Sequence, residues 1–405
     1  MVRKVKKAAI FLGGLVLATV LVELGLRIVE LSGLWRVLPV AEVMLYGPDQ
    51  HTGYALRAGV EGIWTTENRV KIKISPQGTR DFDTAWAKRP GEWRIALAGD
   101  SIVEALQVET EQTFAKLMEN LLDRRFVGEV RVVNLGLSGA VPPVQVARMS
   151  SLGVKFDPDL MLYVVNIQDF ASPLLGDSTR FPGYRRAGER GDFHLDYSFR
   201  ETAGYRFRMS SMGKVYYWLM DHLRIVRLLN SRRNHGFFGP AADDDGLERN
   251  PGCQTDTTLS LLEALDADDQ ASEIYGRLSA FLRDVGHVAE RHRSQAIVAV
   301  RGLASRCQGD IPLKLRLAEQ LRDVFVRARV ASIDMDRAIE GELRAVGGAE
   351  FSSIYGFGAN MGSGHLNPFG HQIVSRALVG ALTPWVAERA STGSISLFEE
   401  DWRQP

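Results

Sequence analysis

Ser101 stands in Ala98-Gly99-Asp100-Ser101, where the apolar run Trp93 to Ala98 gives way to helical spacing. A serine at such a junction has its Oγ and its backbone N–H beside a helix N-terminus, which favours developing negative charge. That position suits nucleophilic chemistry; the plainer reading is a helix cap. The same tripeptide recurs at Gly176-Asp177-Ser178, but no strand precedes it there, so context rather than composition singles out Ser101. Asn134-Leu135-Gly136-Leu137-Ser138-Gly139 also follows a strand-like run. Its glycines let the backbone approach a ligand, and the Gly139 N–H could face an oxyanion, although a tight turn needing positive φ explains it alone. Asn166-Ile167-Gln168-Asp169 offers side-chain amide donors after a third apolar run. His365 and His371 lie in His365-Leu366-Asn367-Pro368-Phe369-Gly370-His371; either alone would more often be structural than catalytic. Six apart, with no cysteine and few carboxylates nearby, they make a poor metal pair.

The elements that must position these groups follow from apolar periodicity. Residues 93–98, 130–134 and 160–165 read as short buried strands, and so do 296–300 and 330–333. Helical spacing covers Val103 to Phe126, Val144 to Leu152, about Ser272 to Arg293, about Pro312 to Arg329, and Pro368 to Ala387. Continuous apolar strands alternating with helices predict a parallel sheet covered on both faces. In an open sheet of that kind ligands collect at the carboxyl ends of the strands, where the first three candidate groups fall. Ahead of the sheet, residues 61–65 and 70–74 alternate around Glu67-Asn68 and suggest a small hairpin. Residues 171–268 break the pattern with polar, Gly-rich and Arg-rich stretches and read as an insertion, in which Met212 to Leu229 is amphipathic.

The 405 residues are 45% hydrophobic and 24% charged, with 49 Lys+Arg against 49 Asp+Glu. This is ordinary globular composition and excludes a disordered chain, a collagen-like repeat and a multi-span membrane protein. The absence of a basic excess argues against a nucleic-acid binder. Four basic residues, Arg3, Lys4, Lys6 and Lys7, crowd the first seven positions, so the rest of the chain is slightly acidic. An uncharged run from Ala8 to Val22 follows. Extended to Val29 as helix it spans about 33 Å, enough for the roughly 30 Å core of a bilayer. It then takes in only Glu23 and Arg27, which lie four apart and can pair on one face. The basic flank should stay cytoplasmic, placing the remainder on the far side. A cleaved signal peptide shares this charged start, but no convincing small-x-small site follows the run. The expected organisation is a basic flank and transmembrane anchor over 1–30, a lead-in segment with a small hairpin over 31–92, a catalytic domain over 93–390 and a tail over 391–405. Beyond the cytoplasm, the only two cysteines, Cys253 and Cys307, could form a disulfide or remain as thiols.

Taken together, Ser101, Gly139, Asn166 with Gln168, and His365 occur in the order and spacing of the SGNH (GDSL-type) hydrolases. The chain resembles that family from about Arg94 to Asp169 and again from about Ala296 to Ala387. Val22-Glu23-Leu24-Gly25-Leu26-Arg27, Gln77-Gly78-Thr79-Arg80-Asp81 and Val108-Glu109-Thr110-Glu111-Gln112-Thr113-Phe114 are similar to its membrane-anchored bacterial members. The resemblance implies a three-layer α/β sandwich of flavodoxin-like type around a central parallel sheet. It implies Ser101 as nucleophile and His365 as general base. The oxyanion hole would be the N–H groups of Ser101 and Gly139 with the amide of Gln168 or Asn166. No metal or cofactor is implied. Two blocks depart from the family pattern: Gln168-Asp169 stands where Asn-Asp is usual, and Gly362-Ser363-Gly364-His365 lacks the carboxylate of Asp-x-x-His. The local groups able to fix the imidazole tautomer are Asn360, Ser363 and the Gly362 carbonyl, and a remote Asp is the other candidate. The expected activity is hydrolysis or O-acyl transfer on an extracytoplasmic ester, such as an acetylated glycan or a lipid. The alternative is a catalytically silent envelope protein that binds a glycan or a protein partner in the same cleft.

Overall fold

The computed structural model describes residues 2–32, 44–127, 129–176, 178–188, 191–226, 229, 268–302, 321–391, 396 and 397. Cys253 and Cys307 fall outside the described residues, so the choice between a disulfide and two thiols does too.

Five strands form the central sheet: β3 (Glu92–Ala98), β4 (Glu129–Asn134), β5 (Leu160–Asn166), β8 (Gln295–Arg301) and β9 (Ala331–Asp334). Ahead of the sheet, β1 (Glu61–Trp64) and β2 (Val70–Lys73) form an antiparallel hairpin, and β6 (Gly183–Arg186) and β7 (Phe193–Asp196) form another in the insertion. The sheet runs β9-β8-β5-β3-β4 with every pairing parallel. In sequence rank this is the 2-1-3-4-5 order of flavodoxin-like sheets, whose switch point lies between the first strand and the third. Here those strands are β3 and β5, and the residues that follow them are Gly99-Asp100-Ser101 and Ile167-Gln168.

Strand residues alternate between two cores, which is why the strand centres are apolar on both faces. Ala96, Ala98, Met161, Tyr163, Val298 and Val300 point to one face, where they meet α4 (Pro142–Ser151) and α7 (Asp268–Arg291) through Val144, Met149, Leu278 and Phe281. Ile95, Leu97, Leu160, Leu162, Ile297 and Ala299 point to the other. There they meet α3 (Phe114–Asp123), α8 (Met335–Ala345) and α9 (Pro368–Ser391). The three-layer α/β sandwich is therefore present, with helices on both faces of a parallel sheet.

The expected helix from Val103 to Phe126 is instead three pieces. α2 (Ser101–Glu104) stops at Ala105, which adopts φ 57°; a 3-10 turn spans Thr110–Gln112; and α3 begins after Thr113, whose side chain accepts from the Lys116 N–H. Capping by Glu109 and Thr113 outcompetes the continuous apolar spacing. The lead-in is built into the body. Leu45, Leu56, Val70, Ile72 and Ile74 join the α4 and α7 core. Buried Arg80 donates to the Val108 carbonyl (2.9 Å) and to Thr110 Oγ1, and Asp81 pairs with Lys116 (2.8 Å) while accepting from the Asn134 N–H (2.9 Å). Within the insertion, α5 (Ala203–Met209) and α6 (Ser211–His222) are described; α6 ends at His222 because Leu223 turns extended, short of the expected Leu229. The expected helix from Pro312 is described from residue 321 onward.

α1 (Val2–Ser32) is long and apolar enough to cross a membrane over Ile10–Val29, with mean hydropathy 2.0 and 6% of that stretch buried. Glu23 and Arg27 pair on it at 3.0 Å.

Candidate active site

Ser101 is the first residue of α2, directly after β3. Asp100 caps that helix, its Oδ1 accepting from the Ile102 N–H at 3.0 Å. Glycine is required at position 99 because a Cβ there would overlap the Val103 side chain. Among the described residues, neither the Ser101 N–H nor the Gly139 N–H has a hydrogen-bond acceptor.

The Gly139 turn follows β4 and is clamped from both sides. Glu104, buried at the end of α2, accepts from the Ser138 N–H (3.0 Å), the Ser138 hydroxyl and the Tyr46 hydroxyl (2.8 Å). Tyr54 donates to the Ser138 carbonyl at 2.7 Å. Burial pushes the Glu104 carboxyl up, and the three donors only partly offset it. Gly139 itself has φ 73°, the left-handed region glycine enters without strain. Gly136 is needed for a different reason: a side chain there would run into the Glu104 backbone.

Asn166 ends β5, and its Oδ1 accepts from the Gln168 N–H at 3.2 Å, capping a 3-10 turn over Ile167–Ala171. That bond occupies the oxygen and leaves the Asn166 NH2 as the donating end. Arg301 ends β8 two strands from β3 and forms an ion pair with Asp100. Burial opposes the Arg301 charge, but the Asp100 carboxylate outweighs it and its affinity for the proton rises. Asp169 is raised to about 7 by burial first and then by the Asp100 carboxylate, with Arg301 opposing.

His365 lies in the loop before α9. Its Nδ1 is 2.7 Å from Glu67 Oε1, and its backbone N–H donates to Glu67 Oε2 at 3.1 Å. The carboxylate therefore comes from the β1–β2 turn, 298 residues away in the chain. The local candidates are engaged elsewhere: the Ser363 hydroxyl donates to the Asn360 carbonyl (3.3 Å), and neither residue takes Nδ1. This corrects the expectation that Asn360 or Ser363 would orient the ring, because a carboxylate accepts more strongly than a neutral group. Burial drives the Glu67 carboxyl up, yet the His365 hydrogen bonds and charge bring it below its usual value. Glu67 sits at φ 64°, a left-handed conformation that costs roughly 1–2 kcal/mol for a residue with a Cβ. Gly364 makes room for it: a Cβ there would lie 3.1 Å from both Glu67 carboxylate oxygens. The turn is tied down through Asn68, whose Nδ2 donates to the Gln107 carbonyl at 2.8 Å, just beyond α2.

The structure thus sets Ser101, Gly139 and Asn166 at the carboxyl ends of three adjacent strands and joins His365 to Glu67. Sequence reasoning missed Glu67 as a functional residue. The available signal was an acidic side chain at a hairpin turn, where Asn-Gly or Asp-Gly is commoner. His371 is buried, accepts from the Phe114 N–H at 3.1 Å, and is pushed down to about 3 by burial, so it is part of the packing.

No family model and no curated protein matches this chain. Solved structures similar to it include a variant of Axe2, an acetyl-xylooligosaccharide esterase from Geobacillus, at 11% identity and TM-score 0.37, covering 77% of this chain and 97% of that one. Another is LAE5, an alpha/beta hydrolase from the metagenome of Lake Arreo, at 14% identity and TM-score 0.35, covering 72% and 95%. An esterase, EstA from Pseudoalteromonas, matches at 9% identity and TM-score 0.34, covering 73% and 98%.

Proposed function

We propose that this protein is a membrane-anchored serine ester hydrolase or O-acyltransferase working through a Ser101–His365–Glu67 triad. The observation that carries the reading is the two-point grip of the Glu67 carboxylate on His365, through Nδ1 and the backbone N–H. With its proton on Nδ1 facing Glu67, the imidazole presents a basic Nε2, the tautomer a general base needs. Ser101 Oγ attacks the carbonyl carbon of the ester while His365 Nε2 takes the hydroxyl proton. Glu67 stabilises the imidazolium that results. The negative oxygen of the tetrahedral intermediate accepts from the Ser101 N–H, the Gly139 N–H and the amide of Asn166 or Gln168. Collapse breaks the C–O bond, His365 returns its proton to the leaving alcohol, and an acyl-Ser101 remains. Water, or a sugar hydroxyl in the transferase case, then attacks with His365 again as base. Neither half-reaction requires a metal or cofactor.

The substrate class is an extracytoplasmic ester, an O-acetyl group on an envelope glycan or a lipid acyl chain. Support for the location is the Ile10–Val29 span, together with the four basic residues that precede it. The silent alternative rests on the missing Asp and the missing Asn of the two motif blocks; the Glu67 carboxylate on His365 Nδ1 answers the first, and Gln168 still stands in place of the second. The deciding experiment is labelling of purified protein with a fluorophosphonate, alongside release of p-nitrophenol from its acetate. Labelling and turnover that vanish together in Ser101→Ala are expected. Wild-type protein that neither labels nor turns over would overturn the enzyme reading.

A further inference from the structure

The insertion helices carry an apolar face that the other described residues leave uncovered. On α6, Met212, Val215 and Trp218 are 66%, 50% and 56% exposed, and their spacing of three puts them on one stripe with His222. His222 stacks on the Trp218 ring with centroids 4.5 Å apart. Phe207 and Met209 on α5 are exposed as well. Basic side chains lie among them, Arg206 and Arg208 on α5 and Lys214 on α6. An apolar stripe holding a tryptophan, flanked by Lys and Arg, is the composition of a helix that lies in a membrane interface.

The position of α6 relative to α1 identifies what covers that stripe. Arg27 of α1 donates to the His222 carbonyl at 2.9 Å, and Glu23 accepts from the Ile225 N–H at 3.1 Å. Both residues belong to the last two turns of the Ile10–Val29 span, within about 9 Å of its end at 1.5 Å per residue. A bilayer that holds the span therefore meets the end of α6 at headgroup depth. The side of α6 away from the stripe is buried at Gly213 and Met220, and its flank is fixed to the body: Arg57 grips Asp221 with both guanidinium nitrogens, one at 2.7 Å, and also donates to the Met44 carbonyl at 3.2 Å. Gly213 lets the α5–α6 corner close, since a Cβ there would overlap the Phe207 and Arg208 carbonyls.

We infer that α5 and α6 form a second membrane contact, lying in the outer face of the bilayer that α1 spans and seating the catalytic body against its lipid surface. The inference rests on the anchored reading above and adds an interfacial contact to it. It also implies that the body is held at the bilayer surface and does not swing freely on a tether.

The test uses the full chain with Cys253→Ser and Cys307→Ser, reconstituted in phosphatidylcholine–phosphatidylglycerol vesicles carrying headgroup-level spin-labelled lipid. An environment-sensitive fluorophore is placed at Val215→Cys, and at Glu290→Cys, an exposed position in the last turns of α7, as a control. Expected are a blue-shifted emission and loss of about half or more of the intensity at position 215, with little change at 290. Equal, weak quenching at both positions in vesicles that retain the protein through alkaline washing overturns the interfacial contact and leaves the anchor standing. A blue shift at 215 without lipid quenching overturns it too, because another copy of the chain then covers the stripe. Protein washed off the vesicles overturns the anchor, and the inference falls with it.

Discussion

His365 and His371 are six residues apart and have opposite surroundings. His365 stands at a loop end with a carboxylate on Nδ1, while His371 is buried with Nδ1 accepting from a backbone N–H. The first arrangement sets a negative charge against Nδ1, where it faces the proton of the ring. The second forbids an imidazolium: protonation would lose the Phe114 bond and bury an uncompensated charge, which is why His371 is pushed down to about 3. Residue type and spacing are shared between the two, so the partner at Nδ1 decides the role. One histidine is suited to proton transfer and the other to holding the start of α3 in place.

The largest way to break this contrast is to delete each ring. His365→Ala should lower kcat by about 10⁵-fold or more, as loss of the base does in serine hydrolases, with a melting temperature close to wild type. His371→Ala should instead lower stability by about 2–4 kcal/mol, through the cavity and the orphaned Phe114 N–H, with kcat per folded molecule nearly unchanged. If esterase turnover and thermal unfolding show the reverse assignment, the contrast is wrong. Glu67→Gln comes next. It keeps the shape but can present its NH2 to Nδ1 and stabilise the wrong tautomer, so kcat should fall about 10³–10⁴-fold. Fluorophosphonate labelling rate measures it directly, and an unchanged rate would remove Glu67 from the triad.

His371 also predicts a pH dependence of stability. Its proton affinity is depressed on folding, from the ordinary 6.5 to about 3, so between those values the unfolded chain binds the extra proton. Its contribution is complete above about pH 6.5 and is lost as pH falls towards 3, on the order of a few kcal/mol in all. Denaturant titrations from pH 7 to 4 should therefore show stability falling with acid, and His371→Asn, which keeps an acceptor for Phe114, should flatten that slope. An equally steep slope in the variant would place the titrating group elsewhere.

These residues also mark where the sequence could be read and where it could not. Ser101 and Gly139 follow a strand within a few residues and Asn166 ends one, so strand periodicity placed all three at the sheet edge. The sheet was legible for the same reason: a strand packed on both faces, such as Leu160–Asn166, runs uncharged and buried as far as Val165. The break in the expected Val103–Phe126 helix was harder to see. It rests on Ala105 adopting a left-handed conformation and on Thr113 capping, neither of which alters apolar spacing. Helix α8 was missed; Asp334 caps it immediately after β9, leaving no loop to announce it. Glu67 was unreadable as a partner because nothing local links a hairpin turn to a residue 298 positions later. Only the packing of the lead-in against the sheet brings them together.

Gly364→Ala tests that packing with a smaller change. The new Cβ would press on both Glu67 oxygens at 3.1 Å and would sit at φ 84°, so kcat should drop by about tenfold, corresponding to roughly 1–2 kcal/mol.

The smallest effect is expected at Ser363. Its hydroxyl donates at 3.3 Å to the Asn360 carbonyl, two residues from His365, and it is exposed. If Glu67 alone fixes the ring, Ser363→Ala should leave kcat within about twofold and stability within about 0.5 kcal/mol. The value of so slight a change is that it separates two sources of orientation. A loop that positioned His365 by its own hydrogen bonds would make Ser363→Ala and Glu67→Gln comparable in effect. A ring held by a carboxylate from across the fold makes them differ by about three orders of magnitude, because a charged acceptor on Nδ1 sets the tautomer and an exposed neutral bond to a neighbouring carbonyl does not. Steady-state kinetics of the two variants and their double mutant decide the matter, and the double should behave as Glu67→Gln alone.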